Sequence, residues 1–423
     1  ATRLCRQCFN ELLFSCQQRK WAIVTYTHEH PVTGHIEYRD RKRYLWLLSV
    51  FLPLLPLLGI FLYLRYGYEW LLAVPLFINY IVIPLLDWLL GTDTNNPPEE
   101  IVPQLEEDRY YRYLTWITVP LHFVTLIAVA WFVGTYDLSA GAVLVMAVTA
   151  GAYSGLCINT AHELGHKKTA LERWLAKIAL TIPAYGHFCV EHNRGHHRHV
   201  ATPGDPASAR MGESIYRFAL REIPGAFRRG WVVESERLRQ RGQATWSVHN
   251  DILQSYAGSL LLQGGLILAF GWIMIPFLAI HNVWAWYQLT SANYIEHYGL
   301  LREKDSNGQY ERCQPHHSWN ANYTFSNIVL FHLERHSDHH ANSSRRYQSL
   351  RDFDDIPQLP NGYFGTYLIA YIPRLWYRVM DKRLLALPHI NGDLSKLNID
   401  PEKRDSIYAR YGKGQTTPAS AAI

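Results

Sequence analysis

Long stretches without a charged residue, each about the length of a bilayer-crossing helix, most restrict what this chain can fold into. Tyr44–Leu64 is uncharged, and at about 1.5 Å of helical rise per residue it can cross a hydrocarbon core of about 30 Å. Trp70–Leu90 follows the short Arg65–Glu69 link and is interrupted only by Asp87. Tyr113–Val133 and Leu138–Ala161 read as a third and a fourth span, turned around by Gly134-Thr-Tyr-Asp. Ile252–Ile295 is again uncharged and suits two tightly linked spans with a break near Gly271–Pro276. A soluble domain would intersperse its charges with apolar residues at helical or strand period. The expectation is an all-α integral membrane protein of six transmembrane helices.

Basic residues crowd the start (Arg3, Arg6, Arg19, Lys20, Arg39, Arg41, Lys42 and Arg43), whereas the first link carries almost none. This asymmetry puts the N-terminus in the cytoplasm. Even span parity then brings the ends of the fourth and sixth spans, and the C-terminus, to the same side. The chain divides into a cytoplasmic segment 1–43, a six-span membrane domain 44–340 and a C-terminal region 341–411. A small, polar, linker-like tail, 412–423, ends it. No secretory signal is expected, because the first apolar run begins only after the basic segment. Leu171–Val190 is apolar but broken by Arg173, Lys177 and Pro183, which suits the interface better than a span. Gly362–Ile372 is too short to cross and is expected to pack or to lie in the interface. Met211–Gln243 is rich in arginine and reads as a solvated face near anionic lipid or a docking face for an acidic electron donor. The net charge of +5 over 423 residues does not suggest nucleic-acid binding. Six scattered cysteines form no disulfide framework, and the single Cys5-x-x-Cys8 pair lacks the second pair a zinc ribbon needs.

Histidines cluster where the apolar runs end. The boxes are His162-Glu-Leu-Gly-His166, His192-Asn-Arg-Gly-His196-His197 and His336-Ser-Asp-His339-His340, and His297 stands at the end of the sixth span. Imidazoles three or four residues apart share a helix face, so His162/His166, His192/His196 and His336/His339/His340 can each present ligands together. His197 would point about 100° from His196 and reach a second ion. Nine neutral nitrogens exceed the coordination of one first-row ion, so two metals with four or five imidazoles each are expected. His162-Glu163-Leu-Gly-His166 comes close to the zinc-protease signature, but such a protease needs three protein ligands and an open position. His122, His187, His249 and His281 read as hydrogen-bonded core residues.

His162-Glu-Leu-Gly-His166-Lys, Glu191-His-Asn-Arg-Gly-His-His197, Asn293-Tyr-Ile-Glu-His297-Tyr-Gly and Leu333-Glu-Arg-His-Ser-Asp-His-His340 together resemble the membrane alkane 1-monooxygenases. These lie within the wider group of fatty-acid desaturases and xylene monooxygenases that share histidine boxes. Asn293–Gly299 is the most discriminating segment, and the similarity runs from about Tyr44 to about Asp381. The resemblance implies a cytoplasmic helical cap with two non-haem irons on the nine histidines, and O2 as co-substrate. It further implies terminal hydroxylation of medium- to long-chain n-alkanes in the bacterial inner membrane. Electrons would come from NADH through a reductase and rubredoxin, a donor either separate or fused beyond the tail. The same centre could instead serve a desaturase or an aromatic-methyl monooxygenase, and a metal transporter is the reading from another class.

Groups accepting the free imidazole N–H should orient the ligands. Candidates are Asp87, Asn159, Glu163, Glu191, Glu296 and Asp338, with Asp93 and Asp205 as further possibilities. Asp87 stands out because a carboxyl within a span is costly. An alkane has no polar handle, so its channel should be apolar and aromatic, walled by spans one, two, four and six.

Overall fold

The computed structural model describes residues 24–32 and 34–412. Cys5, Cys8 and the first four basic residues of the opening segment lie outside the described residues, as does the tail from 413 onward. The chain is mostly helical. One departure is a β-hairpin, β1 (Tyr26–His30) paired antiparallel with β2 (Gly34–Tyr38), in the polar segment before the first span. Alternation of exposed and partly buried residues along both strands explains it: Tyr26 and Tyr38 face one another and turn towards the helices.

Five helices are long and apolar enough to cross a membrane: α1 (Leu47–Tyr66), α2 (Glu69–Leu90), α3 (Arg109–Thr135), α4 (Ala140–Gly165) and α7 (Asp251–Phe270). Between α4 and α7 lie α5 (Ala170–Ala179) and the long arginine-rich α6 (Ile215–Gln240). Next comes α8 (Met274–His297), separated from α7 by Gly271, whose φ of 84° ends the preceding helix where a break is expected. At about 36 Å, α8 is long enough to span, but it is more polar than the other five. The reason lies in its last turns, where Gln288, Thr290, Ser291, Asn293, Glu296 and His297 are all buried in the protein. Of the helices that follow, three short ones bear on the site: α9 (Thr324–Val329), α10 (His336–Ala341) and α11 (Tyr363–Ala370). The last is buried within Gly362–Ile372, so that stretch packs.

Caps set the helix starts. Asp108 accepts from Tyr110 N–H at α3, Ser139 from Ala142 N–H at α4, and Asn250 from Ile252 and Leu253 N–H at α7. α2 passes through a 3₁₀ turn and then a π-helical turn, Ile78–Val82. Large apolar side chains point outward from the long helices, among them Phe61, Trp70, Phe77, Leu261 and Leu268. That is the inverse of a soluble surface and suits a lipid solvent.

The helix pair that positions the site is α4 against α8. Small residues let them touch: a Cβ on Gly151 would lie 2.6 Å from the His281 carbonyl oxygen, and one on Gly155 would lie 2.6 Å from Gln288 Cβ. Ser154 Oγ and His281 Nε2, 2.7 Å apart, bridge the two helices. Gly151→Val should therefore force them apart, costing about 1–3 kcal/mol. Thermal unfolding in detergent, with metal content alongside, checks this; an unchanged melting temperature would show that the pair is looser than the contacts imply.

Candidate metal centre

Nine imidazoles meet beneath the α4–α8 pair in two groups. His162, His166, His192, His197 and His339 form one, and His196, His297, His336 and His340 the other; within each, one nitrogen per ring lies within 4.8 Å of all the rest. His162 and His166 end α4, His297 ends α8, and His336, His339 and His340 occupy α10. The i,i+4 pairs His162/His166 and His336/His340 each stay in one group, while His339 turns to the other.

The middle box departs from the helical expectation. His192–His196 is a π-helical turn in which the N–H of His197 bonds back to the carbonyl of His192, five residues away. The extra residue per turn brings His197 over His192, with their Nε2 atoms 3.0 Å apart. His196 is thereby rotated away and joins the second group, so the roles expected of His196 and His197 are exchanged.

The spacings are those of donors sharing an ion. His162 and His339 Nε2 are 2.9 Å apart, His197 and His339 3.1 Å, His336 and His340 2.9 Å, and His297 and His336 3.2 Å. Two nitrogens at about 2.1 Å from one first-row ion, at a right angle, would be about 3.0 Å apart. Hydrogen bonds among the rings cannot account for the set. A neutral Nε2 carries one proton or one lone pair, yet His339 and His197 each face two other Nε2 atoms. Each group is thus arranged so that it could hold a metal ion. Burial, with neighbouring imidazoles adding to it, holds His192, His197, His336, His339 and His340 well below the ordinary histidine pKa. They are neutral at pH 7, as ligation requires.

Above the rings lies a narrow, mostly apolar cavity between α4, α8 and α11. His162, His192 and His336 form its floor, and Leu156, Leu289 and Phe364 are among its walls.

The sequence also matches known proteins. The family model for fatty acid desaturases covers residues 138–368. The chain is 53% identical over 377 residues to an alkane 1-monooxygenase of Pseudomonas putida, covering 89% of this chain and 92% of the relative. It is 51% identical over 385 residues to an alkane 1-monooxygenase of Ectopseudomonas oleovorans, covering 91% and 96%. Against alkane 1-monooxygenase 1 of Alcanivorax borkumensis it is 50% identical over 382 residues, covering 90% and 94%. The chain belongs to the alkane 1-monooxygenase family.

In this family member, two carboxylates reach the imidazole layer. Asp205 Oδ2 lies 2.9 Å from His196 Nδ1, which leaves His196 Nε2 free for its group. Burial pushes the Asp205 carboxyl up, but His196, Arg229 and Ser208 outweigh it and hold the group well below the carboxylate range. Glu296 Oε2 lies 3.4 Å from His336 Nε2, and its other oxygen accepts from Tyr363 O–H at 2.7 Å. The remaining candidates serve other partners. Asp87 Oδ1 accepts from Ser326 N–H and so anchors α9 to α2, while Asn159 Nδ2 donates to the Leu330 carbonyl. Glu163 pairs with Lys167, Glu191 with Arg229, Asp338 with Arg351 and Asp93 with Lys42. Glu163, Glu191 and Asp338, each beside a histidine in sequence, thus pair with cations that hold the boxes in place, whereas Glu296, beside His297, meets a ring.

Those cations include residues the sequence did not single out. Arg335 is buried and donates to the carbonyls of Leu350, Asp93 and Asn95, tying the loop after α2 to the last box. Arg229 on α6 bridges Glu191 and Asp205, so part of the arginine-rich helix faces inward; Arg217, Arg221 and Arg237 also pair with carboxylates. Arg228, Arg239 and Arg241 remain exposed. Of the four histidines read as core, His187 and His281 are buried and hydrogen-bonded. His122 is buried with an unpartnered Nε2, and His249 is exposed. Glu311, His316 and His317 also converge. There, however, His317 Nδ1 accepts from Gln314 N–H, which puts the ring proton on Nε2 facing Glu311, a helix cap rather than a ligand set.

Asp205→Asn should weaken metal retention by about 10–100-fold, read by competition with a chelator; wild-type retention would mean that His196 is oriented without Asp205. In metal-free protein the folded state resists protonating these imidazoles, whereas the unfolded chain takes up protons near pH 6.5. Stability is therefore fully present above that value and falls as the pH drops below it. Melting temperatures between pH 7.5 and 5.5 should decline; a flat profile would contradict the buried, neutral state.

Proposed function

We propose that this protein hydroxylates the terminal carbon of medium- to long-chain n-alkanes at a di-iron centre held by the nine histidines. The observation carrying this reading is the division of the imidazoles into a five and a four beneath an apolar cavity, in a member of the alkane 1-monooxygenase family. The balanced reaction takes the alkane, O2, two electrons and two protons to the 1-alkanol and water. Bound iron would supply the activation of O2. The chain's own residues do the rest. His162, His166, His192, His197 and His339 would hold one ion and His196, His297, His336 and His340 the other. Asp205 fixes the His196 ring, Glu296 stands beside His336, and the mostly apolar walls above suit a hydrocarbon.

In this reading α8 is the sixth span, its polar end tolerated because it is buried in protein rather than in lipid. All the boxes then lie on the cytoplasmic side of the bacterial inner membrane, with both termini. The helix α5 lies in the interface, as its exposed Leu171, Trp174 and Ile178 suggest. Electrons come from rubredoxin, reduced by an NADH-dependent reductase, and exposed Arg228, Arg239 and Arg241 offer an acidic donor a basic face. A metal transporter would spread its ligands across the membrane depth, whereas these converge on one level.

Membranes supplied with dodecane, 18O2, rubredoxin and its reductase should yield 1-dodecanol carrying one 18O atom. Desaturated acyl chains or methyl-aromatic alcohols, with no alkanol, would overturn the assignment. Purified protein should hold two irons per chain. His166→Ala or His297→Ala should each lower that to about one, because each removes a ligand from a different group.

A further inference from the structure

The cavity above the imidazoles has a volume of about 50 Å³, far below the roughly 300 Å³ at which small-molecule sites begin. It can take only the reacting end of an alkane, and the remainder of a long chain must pass beyond its present upper limit. Gln288 stands at that limit. It is nine residues before His297 on α8, about 13 Å along the helix axis, and its side chain lines the cavity.

Three elements meet at this residue through polar groups in apolar surroundings. Tyr80 O–H, on the π-helical turn of α2, donates to Gln288 Oε1 at 2.8 Å. Gln288 Nε2 donates to the hydroxyl of Tyr371, just after α11, at 3.4 Å, and that hydroxyl lies 3.2 Å from Ser291 Oγ. On the opposite side, Gly155 lets α4 lie flush against the glutamine: an added Cβ would meet Gln288 Cβ at 2.6 Å and Cγ at 2.9 Å. Packing alone does not call for polar groups here, since leucine would fill the space without needing partners. A glutamine bridging two tyrosines closes the space while its hydrogen bonds hold, and can swing aside when they exchange. π-Helical turns recur at functional sites, and this one carries Tyr80.

We propose that Gln288, latched by Tyr80 and Tyr371, is the gate at the far end of the alkane cavity and determines the chain length accepted. This rests on the hydroxylation reading above. The test uses the full-length protein in lipid nanodiscs with rubredoxin and its reductase, given an equimolar mixture of octane, dodecane and hexadecane. Gln288→Ala should raise the ratio of 1-hexadecanol to 1-octanol at least tenfold over wild type. Tyr80→Phe keeps the ring and removes only the latch, and should raise it a few-fold. A second readout does not depend on turnover: a terminally diazirine-tagged hexadecane, photolysed with each protein, should label the segment around 288 and Tyr80 more strongly in both variants. Unchanged product ratios and labelling in variants that retain wild-type iron content would overturn the gate. If Gln288→Ala loses its iron, Tyr80→Phe decides alone. If wild type makes no alkanol from any of the three alkanes, the hydroxylation reading fails instead.

Discussion

Seven of the nine imidazoles bring their Nε2 atoms to within 3.2 Å of another ring, an arrangement that hydrogen bonds among the rings do not satisfy. This constraint governs the rest of the structure. The rings are largely buried, and each must come from an element fixed well enough to hold its nitrogen on a shared point. The ends of two long helices supply three of the rings, a π-helical turn three and a short helix the last three. None of these elements could position its rings alone.

Rigidity of that layer comes from two sources of different physical kind. On the membrane side, glycines in α4 let α8 approach closely, so that the two helix ends carrying His162, His166 and His297 are set by van der Waals contact. On the other side, buried ion pairs lock the short elements. Arg229 holds Glu191 and Asp205 together, Arg351 holds Asp338, and Arg335 ties distant loops to the last box. Such pairs are poor sources of net stability, because desolvation offsets much of the attraction. What they provide here is geometry, since an unpaired partner would be left charged and buried. Glu163, Glu191 and Asp338 serve this locking, while Asp205 and Glu296 approach the rings themselves.

The substrate side follows the opposite logic. An alkane offers nothing to hydrogen-bond, so its cavity is walled by apolar groups between α4, α8 and α11. Polar groups at its upper end therefore stand out, and the chain of contacts from Tyr80 through Gln288 to Tyr371 joins α2, α8 and the end of α11 there. Reactive chemistry at the floor and selection of chain length at the far end are thus separated along one helix, α8.

By itself the sequence determined the apolar spans, their break near Gly271, which nine histidines the fold would gather and the resemblance to alkane 1-monooxygenases. These properties are local: uncharged length, helix-breaking residues and tight motif spacing survive without knowledge of the fold. It was less informative where polarity is set by tertiary contacts. The end of α8 is polar because protein, not lipid, surrounds it, and the hairpin at 26–38 has too short an alternation to stand out in a basic segment. Only the tertiary structure decided which imidazoles belong together. A helix of regular pitch would pair His192 with His196; the π-helical turn pairs His192 with His197 instead, and nothing in the spacing of five residues announces that change of pitch. It also decided that Asp205, remote from the boxes' own acidic residues, reaches an imidazole while Asp87 does not, because that depends on where the chain returns after the turn.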